Sequence, residues 1–448
     1  MAGSIAIVGA GLSGNLVAIM LARLGHAVTV YERGPSPEDS APDGGRSINL
    51  ALASRGIRAL ELAGVFDTIE PLLLPMPGRI IHEIDRTLRF LPYGQRETER
   101  IWSVSRQRLN HALIDIARNQ CRVTYRFEHA CVDFDCGTLS ATIRSAAGDE
   151  RIEPGLLLAA DGAGSVIRRE LAAAGAVTAR EDLLDHGYKE LTIPPDAEGD
   201  FALAAEGLHI WPRGGFMLIA LPNLDRTFTA TLFLPHSGRP GFDTVTAQSA
   251  VAFFAEQFPD ATELMPNLAR EFAARPVGSL GTVYCSPWSQ SSGRDAARSA
   301  LLIGDAAHAI VPFHGQGMNA AFEDCAELAR LTAEAGPDWA RVLQQFEAAR
   351  RNNSRAIAEM ALENYAEMRD TVRDPEFEHR AALSFELERR FAGRFIPRYS
   401  MVMFHPEIGY AEAQRRGRIQ AEILDQAITR GDRNRSLDIA AELVEQRL

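Results

Sequence analysis

Cysteine is scarce in this chain and forms no pattern. The five residues, at positions 121, 131, 136, 285 and 325, make no CxxC pair and share no metal spacing with histidine. An odd, scattered set argues against a disulfide framework and a structural zinc, and for a reducing compartment. Long apolar runs are missing too. No stretch reaches the roughly 18 uninterrupted apolar residues of a membrane span, and no signal peptide is expected, since the first apolar run leads straight into a glycine-rich motif. Positive charge is not in excess. The net charge is −12 and the arginines are dispersed, which excludes a generic nucleic-acid binder and an anionic-membrane binder. The reading is therefore a cytoplasmic protein with no membrane segment, no nucleic-acid partner and no metal. Repeats and low-complexity linkers are also absent, so the two or three domains that 448 residues allow are expected to interleave.

What is present is a set of glycine-rich junctions between strands and helices. Ser4 to Val8 reads as a buried strand, Gly9-Ala10-Gly11-Leu12-Ser13-Gly14 as a turn, and Asn15 to Leu24 as a helix. Ala27 to Tyr31 is a second strand closed by Glu32, eighteen positions after Gly14. Glycines permit the tight turn and the approach of a pyrophosphate to the helix N-terminus, and the acid meets an adenosine ribose. This is the dinucleotide-binding arrangement. A second junction runs from Leu156 through Asp161-Gly162 into the Arg168-Arg169 helix. A third runs from Ala300 through Gly304-Asp305 to Gly315-Gln316-Gly317-Met318-Asn319 and a further helix. Asp305 can accept from ribityl or ribose hydroxyls. The N–H groups around Gly317, Met318 and Asn319 can face an anionic ring edge. Alone, the third segment would be an ordinary strand–loop–helix junction.

Between these junctions the pattern changes. Leu208 to Pro212, Phe216 to Leu221 and Thr227 to Leu234 read as an antiparallel meander. Its middle strand is apolar on both faces, so something must cover both sides. From residue 320 onward the pattern is helical, with breaks at Gly336-Pro337, Asp374-Pro375, Pro397 and Pro406.

The order GxGxxG with its acid, then Asp-Gly, then Gly-Asp resembles the single-component FAD aromatic hydroxylases, whose fold is like that of 4-hydroxybenzoate hydroxylase. Within that class, Gly45 to Leu52 with Arg55-Gly56, Tyr188-Lys189-Glu190-Leu191, Leu208 to Arg213 and the 304–325 segment are similar to the kynurenine 3-monooxygenase family. So are Asn364-Tyr365 with Glu367-Met368-Arg369, and Phe395-Ile396-Pro397 with Tyr399 and Met401-Val402. One departure is the C-terminal end. Mitochondrial members carry a membrane segment there, and this chain carries a charged helix.

The resemblance implies an α/β fold: a Rossmann-like FAD-binding domain interleaved with an antiparallel-sheet substrate domain, plus C-terminal helices. Residues 1–77, 99–185 and 276–370 would form the first, 78–98 and 186–275 the second, and 371–448 the helical region. It implies hydroxylation of L-kynurenine with NADPH and O₂ through a flavin C4a-hydroperoxide. NADPH would dock transiently, since only one GxGxxG is present, and no protein base would be essential because an aniline ring is already electron-rich. Arg79 would bind the substrate carboxylate. Tyr93, fourteen positions on, would be brought to it by a hairpin, and Asn364 and Tyr399 would complete the polar contacts. Without the resemblance Arg79 reads as a surface arginine and Tyr399 as a helix-packing residue. Leu208, Ile219, Phe233, Pro312 and Phe313 would line an aromatic slot. His314 either faces the ring or is a loop residue, with no base role. FAD would be held by Gly9, Gly11, Ser13, Gly14, Tyr31, Glu32, Arg33, Arg46, Ala51, Arg106, Cys131 (through its backbone), Asp161, Asp305, Gly317, Met318 and Asn319. Two other functions stay open: a related hydroxylase of another aminoaryl acid, and a flavin-binding regulator without turnover.

Overall fold

A computed structural model describes residues 4–39, 49–292, 298–336, 338–368, 375–431 and 435–448. The chain divides into two compact units: Met1–Leu73, Val104–Leu183 and Gly281–Ala358 form one, and Leu74–Ser103, Leu184–Leu280 and Glu359–Leu448 the other. The helices from Glu359 onward are thus grouped with the antiparallel sheet, not in a compact unit of their own.

The first unit is built on a six-stranded sheet. Its order is Ser289–Ser291, Ser299–Leu302, Leu156–Ala159, Ile5–Val8, Val28–Tyr31 and Thr124–Arg126. All neighbours are parallel except the Ser289–Ser291 edge. Ile5–Val8, Leu156–Ala159 and Ser299–Leu302 are buried along their whole lengths. Runs this apolar, with Ser299 the one polar member, are what a parallel sheet covered on both faces requires. Ile5–Val8 pairs with Leu156–Ala159 on one side and Val28–Tyr31 on the other. The strand order reverses there, so the Gly9–Gly14 turn opens at the crevice where such sheets take their ligands.

The second unit carries the antiparallel sheet. The end of strand Thr178–Ile193 is followed by Phe228–Pro235, Met217–Pro222, Leu208–Pro212, Gly78–His82 and Leu88–Pro92. Leu208–Pro212 and Gly78–His82 run parallel and the other neighbours antiparallel. The meander read from the sequence is therefore present. The two-residue strand period divides its side chains cleanly. Leu191, Trp211, Leu218, Ala220, Phe228, Ala230 and Leu232 face helices Ala250–Gln257, Pro259–Glu263 and Leu268–Ala274; Phe254 and Phe272 of these helices, with Phe258 between the first two, complete one core. The opposite face, by register, carries Arg79, Leu208, Ile219, Thr231, Phe233 and Glu190. Lys189, the chain's single lysine, points to the core side. It donates from Nζ to the carbonyls of Phe272 and Arg275 at 2.7 and 2.6 Å, closing the C-terminus of helix Leu268–Ala274 with a cation.

Helices Pro375–Arg390, Tyr410–Arg430 and Ser436–Arg447 bury a separate cluster around Leu387, Phe395, Ile423 and Val444. The expected breaks at Gly336 and Pro397 fall at a helix C-cap and a helix N-cap; Pro337 and Asp374 lie outside the described residues. Among the described residues no helix is long and apolar enough to cross a membrane. Phe254 is fully buried in the sheet–helix core. Phe254→Ala is expected to lower stability by about 3–5 kcal/mol, read as a shift of the denaturant midpoint.

Candidate active site

In the first unit the site is a backbone cradle. Gly9 has φ 103° and a Cβ there would strike the Ala160 carbonyl, while a Cβ on Gly14 would strike Gly9 O. These contacts hold the turn against the sheet. Gly11 differs: a Cβ there would meet nothing within 4 Å. It is the N-cap of helix Leu12–Arg23 and no side chain caps that terminus. Open space above bare first-turn N–H groups is the shape and polarity that a pyrophosphate fills. The residues therefore fit FAD.

Glu32 serves that turn directly. One carboxylate oxygen accepts from Ala10 N at 2.7 Å and the other from Gly34 N at 2.8 Å. Asp161 is half-buried. Its Oδ2 accepts from Val166 N at 2.9 Å, and its buried Oδ1 has no partner among the described residues. Burial is the main cause that raises its pKa, against the helix N–H groups that oppose it. Ser13, Tyr31, Ala51, Cys131, Gly317 and Met318 are half-buried, and Arg33, Arg106 and Asp305 are exposed. Burial pushes the Cys131 thiol up to about 12, so it stays protonated. Arg46 lies outside the described residues.

Asn319 behaves differently from its neighbours. Its side chain accepts from Ala53 N at 2.9 Å and donates to Ala51 O and Gly315 O at 2.9 and 2.8 Å. That amide clamps strand Asn49–Leu52 to the start of helix Gly317–Ala335. Only its backbone N–H is left for a ligand at the helix N-terminus.

Behind that helix lies a buried charge network that the sequence reading missed. Asp324, fully buried, accepts from His308 Nε2 at 2.5 Å and Arg350 Nε at 2.7 Å. Arg350 and Arg55 both reach Glu323, at 3.1 and 2.8 Å. Arg168, likewise unassigned, joins the Asp-Gly helix to Ala306 O at 2.9 Å. Its place after Asp161-Gly162 was the available signal. Pro312 is exposed and Phe313 and His314 are buried in the same unit.

In the second unit the site is a buried cation. The hairpin expected between Arg79 and Tyr93 is present, with Arg79 opposite Leu91 and Tyr93 N bonded to Pro77 O at 3.0 Å. Arg79 is 8% exposed, which corrects its reading as a surface arginine. Its guanidinium lies 5.4 Å from the Tyr93 ring centroid and 4.9 Å from that of Tyr399. The two rings are themselves stacked at 5.5 Å and 12°. Tyr399 therefore meets Arg79 rather than only packing a helix. The ion-pair partner of Arg79 is Glu367, at a long 3.9 Å. Arg79 Nε is buried without a hydrogen-bond partner among the described residues.

Burial lowers the Arg79 pKa, but Tyr399, Tyr93 and Glu367 outweigh it and the net shift is upward. Burial also raises both phenols, with Arg79 opposing. The cluster is thus a permanent cation beside two protonated hydroxyls, a donor set for a carboxylate. Asn364 is buried and donates to Met368 Sδ at 3.3 Å. Leu208 and Ile219 are half-buried and Phe233 is buried, all on the sheet face that carries Arg79.

The FAD binding domain family matches residues 3–361. The chain is 46% identical to the kynurenine 3-monooxygenase of Stenotrophomonas maltophilia (strain K279a) over 441 residues, covering 98% of this chain and 95% of that protein. It is 42% identical to that of Myxococcus xanthus (strain DK1622), covering 99% and 95%. The chain belongs to the kynurenine 3-monooxygenase family. The fold of this family member is shared more widely. A solved 2-methyl-3-hydroxypyridine-5-carboxylic acid oxygenase superposes with TM-score 0.65 at 20% identity, covering 83% of this chain and 94% of that one. The p-nitrophenol 4-monooxygenase of Pseudomonas putida DLL-E4 does so with TM-score 0.63 at 16% identity, covering 86% and 93%.

Two outcomes test the first unit of this kynurenine 3-monooxygenase family member. Gly11→Ala should leave the apoprotein melting temperature unchanged and reduce bound flavin, whereas Gly14→Ala should lower both; absorbance per polypeptide and calorimetry report the two. For Asp324, burial by itself would raise the pKa, but His308 and Arg350 outweigh it and the net shift is downward. A depressed native pKa contributes stability above the unfolded carboxylate value, lost as pH falls through the native one. Asp324→Asn should therefore be destabilised at neutral pH by about 3–5 kcal/mol. It should also show a shallower acid loss than wild type in denaturant titrations across pH.

Proposed function

We propose that this chain is an FAD-dependent monooxygenase that hydroxylates L-kynurenine to 3-hydroxykynurenine with NADPH and O₂. Near-full-length identity to kynurenine 3-monooxygenases supports it. The observation in the chain itself that carries the substrate reading is the buried, weakly neutralised Arg79 between two phenols.

Bound FAD supplies the redox and oxygen chemistry. The open turn at Gly11 would take its pyrophosphate, Glu32 and Asp305 would offer carboxylates to its hydroxyls, and the N–H groups of Gly317, Met318 and Asn319 would meet its ring edge.

The chain's own work on the substrate is orientation. A guanidinium grips a carboxylate through two parallel hydrogen bonds, which sets direction as well as position. The Arg79–Glu367 contact, at 3.9 Å, is long enough to yield to such an anion. The Tyr93 and Tyr399 hydroxyls, held protonated, would add donors, and Asn364 a further polar contact. Leu208, Ile219 and Phe233 would flank the ring with apolar surface. That excludes water, so the oxidising equivalent is delivered to the ring rather than lost. An aniline carbon ortho to the amine is nucleophilic without deprotonation, so the assigned residues orient and enclose rather than act as a base. A cytoplasmic setting fits the use of a reduced pyridine nucleotide.

The test is NADPH oxidation and product formation across a panel of anilino acids. L-kynurenine should accelerate flavin reduction and yield the 3-hydroxy product. Acceleration by another aminoaryl acid instead would overturn the substrate assignment. Arg79→Ala should raise KM for L-kynurenine by about 10- to 100-fold, the worth of a charged hydrogen-bonded pair, while flavin content holds. Unchanged KM would remove Arg79 from the site.

A further inference from the structure

On the core side of the same sheet, directly behind the arginine strand Gly78–His82, lies a buried polar chain. Successive side chains of a strand point to opposite faces, so Arg79 and His82 project to opposite sides of one short strand. His82 is 1% exposed, as is His209 on the neighbouring strand, where Ile80 pairs with His209. His82 Nδ1 lies 2.6 Å from Asp260 Oδ2, and His82 Nε2 lies 2.7 Å from His209 Nδ1. His209 Nε2 reaches Ala204 O at 2.8 Å. Trp211 Nε1 donates to both oxygens of Asp260 at 3.0 Å and stacks on His82 with centroids 3.9 Å apart. Arg213 Nη1 donates to the His82 carbonyl at 3.0 Å.

The proton count along this chain is constrained. A carbonyl only accepts, so His209 Nε2 carries a hydrogen. Burial, the largest cause, lowers the pKa of His209 to about 4, so the ring is neutral and its Nδ1 accepts from His82 Nε2–H. His82 Nδ1 is then the ring nitrogen that faces the Asp260 carboxylate. A short hydrogen-bond contact to a carboxylate is strong and directional, and it cannot be made with the partners displaced.

We propose that His82, Asp260, His209 and Trp211 are positioning residues for the substrate grip: they bolt the strand that presents Arg79 to the helix Pro259–Glu263, and so set where the guanidinium meets the carboxylate. Strand Leu88–Pro92, the other neighbour of the arginine strand, is largely exposed, with Leu88 and Phe90 60% and 54% accessible. The hairpin is therefore not held by deep burial of its outer strand. Its buried polar anchorage on the inner side runs through His82, with Arg86 also reaching Glu263 of the same helix at the surface. A carboxylate clamp tolerates little displacement, because two parallel bonds must form at once. The inference rests on the reading of Arg79 as the carboxylate site.

The experiment uses the FAD-loaded full-length protein and compares binding of L-kynurenine with binding of its decarboxylated amine, by titration of the flavin absorbance. Asp260→Asn keeps the volume but removes one acceptor, and should weaken L-kynurenine by about 10- to 100-fold. Affinity for the amine, which has no carboxylate to misplace, should stay within about twofold of wild type, the scatter of such titrations rather than an effect of displacement. Trp211→Phe, which deletes the indole donor and part of the ring stacked on His82, should shift the same ratio in the same direction by less, and serves if Asp260→Asn does not fold. Equal weakening of both ligands, or no change in either, overturns the proposal. Arg79→Ala separates the two levels. If it loses the preference for the carboxylate ligand and the Asp260 and Trp211 variants keep it, the positioning role falls and the carboxylate reading stands. If Arg79→Ala keeps the preference, the carboxylate reading falls and takes the positioning role with it.

Discussion

A guanidinium almost fully removed from water, with its ion-pair carboxylate at 3.9 Å, is the interaction on which the substrate reading of this protein depends. Burying a charge costs several kcal/mol unless it is well paired. Here the compensation is partial: two stacked phenols provide π-faces and a modest negative potential. The buried Nε of Arg79 has no partner among the described residues. A site left in that condition favours an anion that supplies the missing acceptors. The same condition gives directionality, because the donors are fixed by strand, stack and helix before the ligand arrives.

The sheet behind this cation has two unlike faces, and the division follows from the strand period. One face is sealed by phenylalanine-rich helices and by the His82–Asp260 chain. The other mixes Arg79, Leu208, Ile219, Thr231, Phe233 and Glu190. Rigid packing on the first face is what lets the second hold a polar group in a set place. In the other unit the logic is similar. An open turn at Gly11 is usable because Gly9 and Gly14 lock the loop and Glu32 ties it from the far strand. The helix that begins at Gly317 is held by an Asn319 clamp and a buried network of Arg55, Glu323, Asp324, Arg350 and His308.

Much of this was legible in the sequence. The strand–turn–helix at 5–23, the meander from 208 to 235 and the helical C-terminal third follow from local periodicity, which needs no partner to be read. The resemblance to the family named Arg79, Tyr93, Asn364 and Tyr399, of which Arg79, Tyr93 and Tyr399 lie against one another. The first unit's buried charge network and the His82–Asp260 chain were not legible. Their bonded side chains are 16 to 268 residues apart, and a lone histidine or aspartate carries no local mark of its future partner. Asn319 was read for its backbone N–H, and the sequence carried no sign that its side chain would be spent on the backbone of a distant strand.

The amino-acid sequence by itself determined the elements, the glycine turns and which residue types line each strand face, because these depend on short-range sterics and on the alternation of apolar and polar positions. Only the tertiary structure decided that Arg79 is buried rather than exposed, which carboxylates are paired and with whom, and which glycine faces open space. Burial and long-range pairing arise when distant segments exclude water together, and no single segment contains that information.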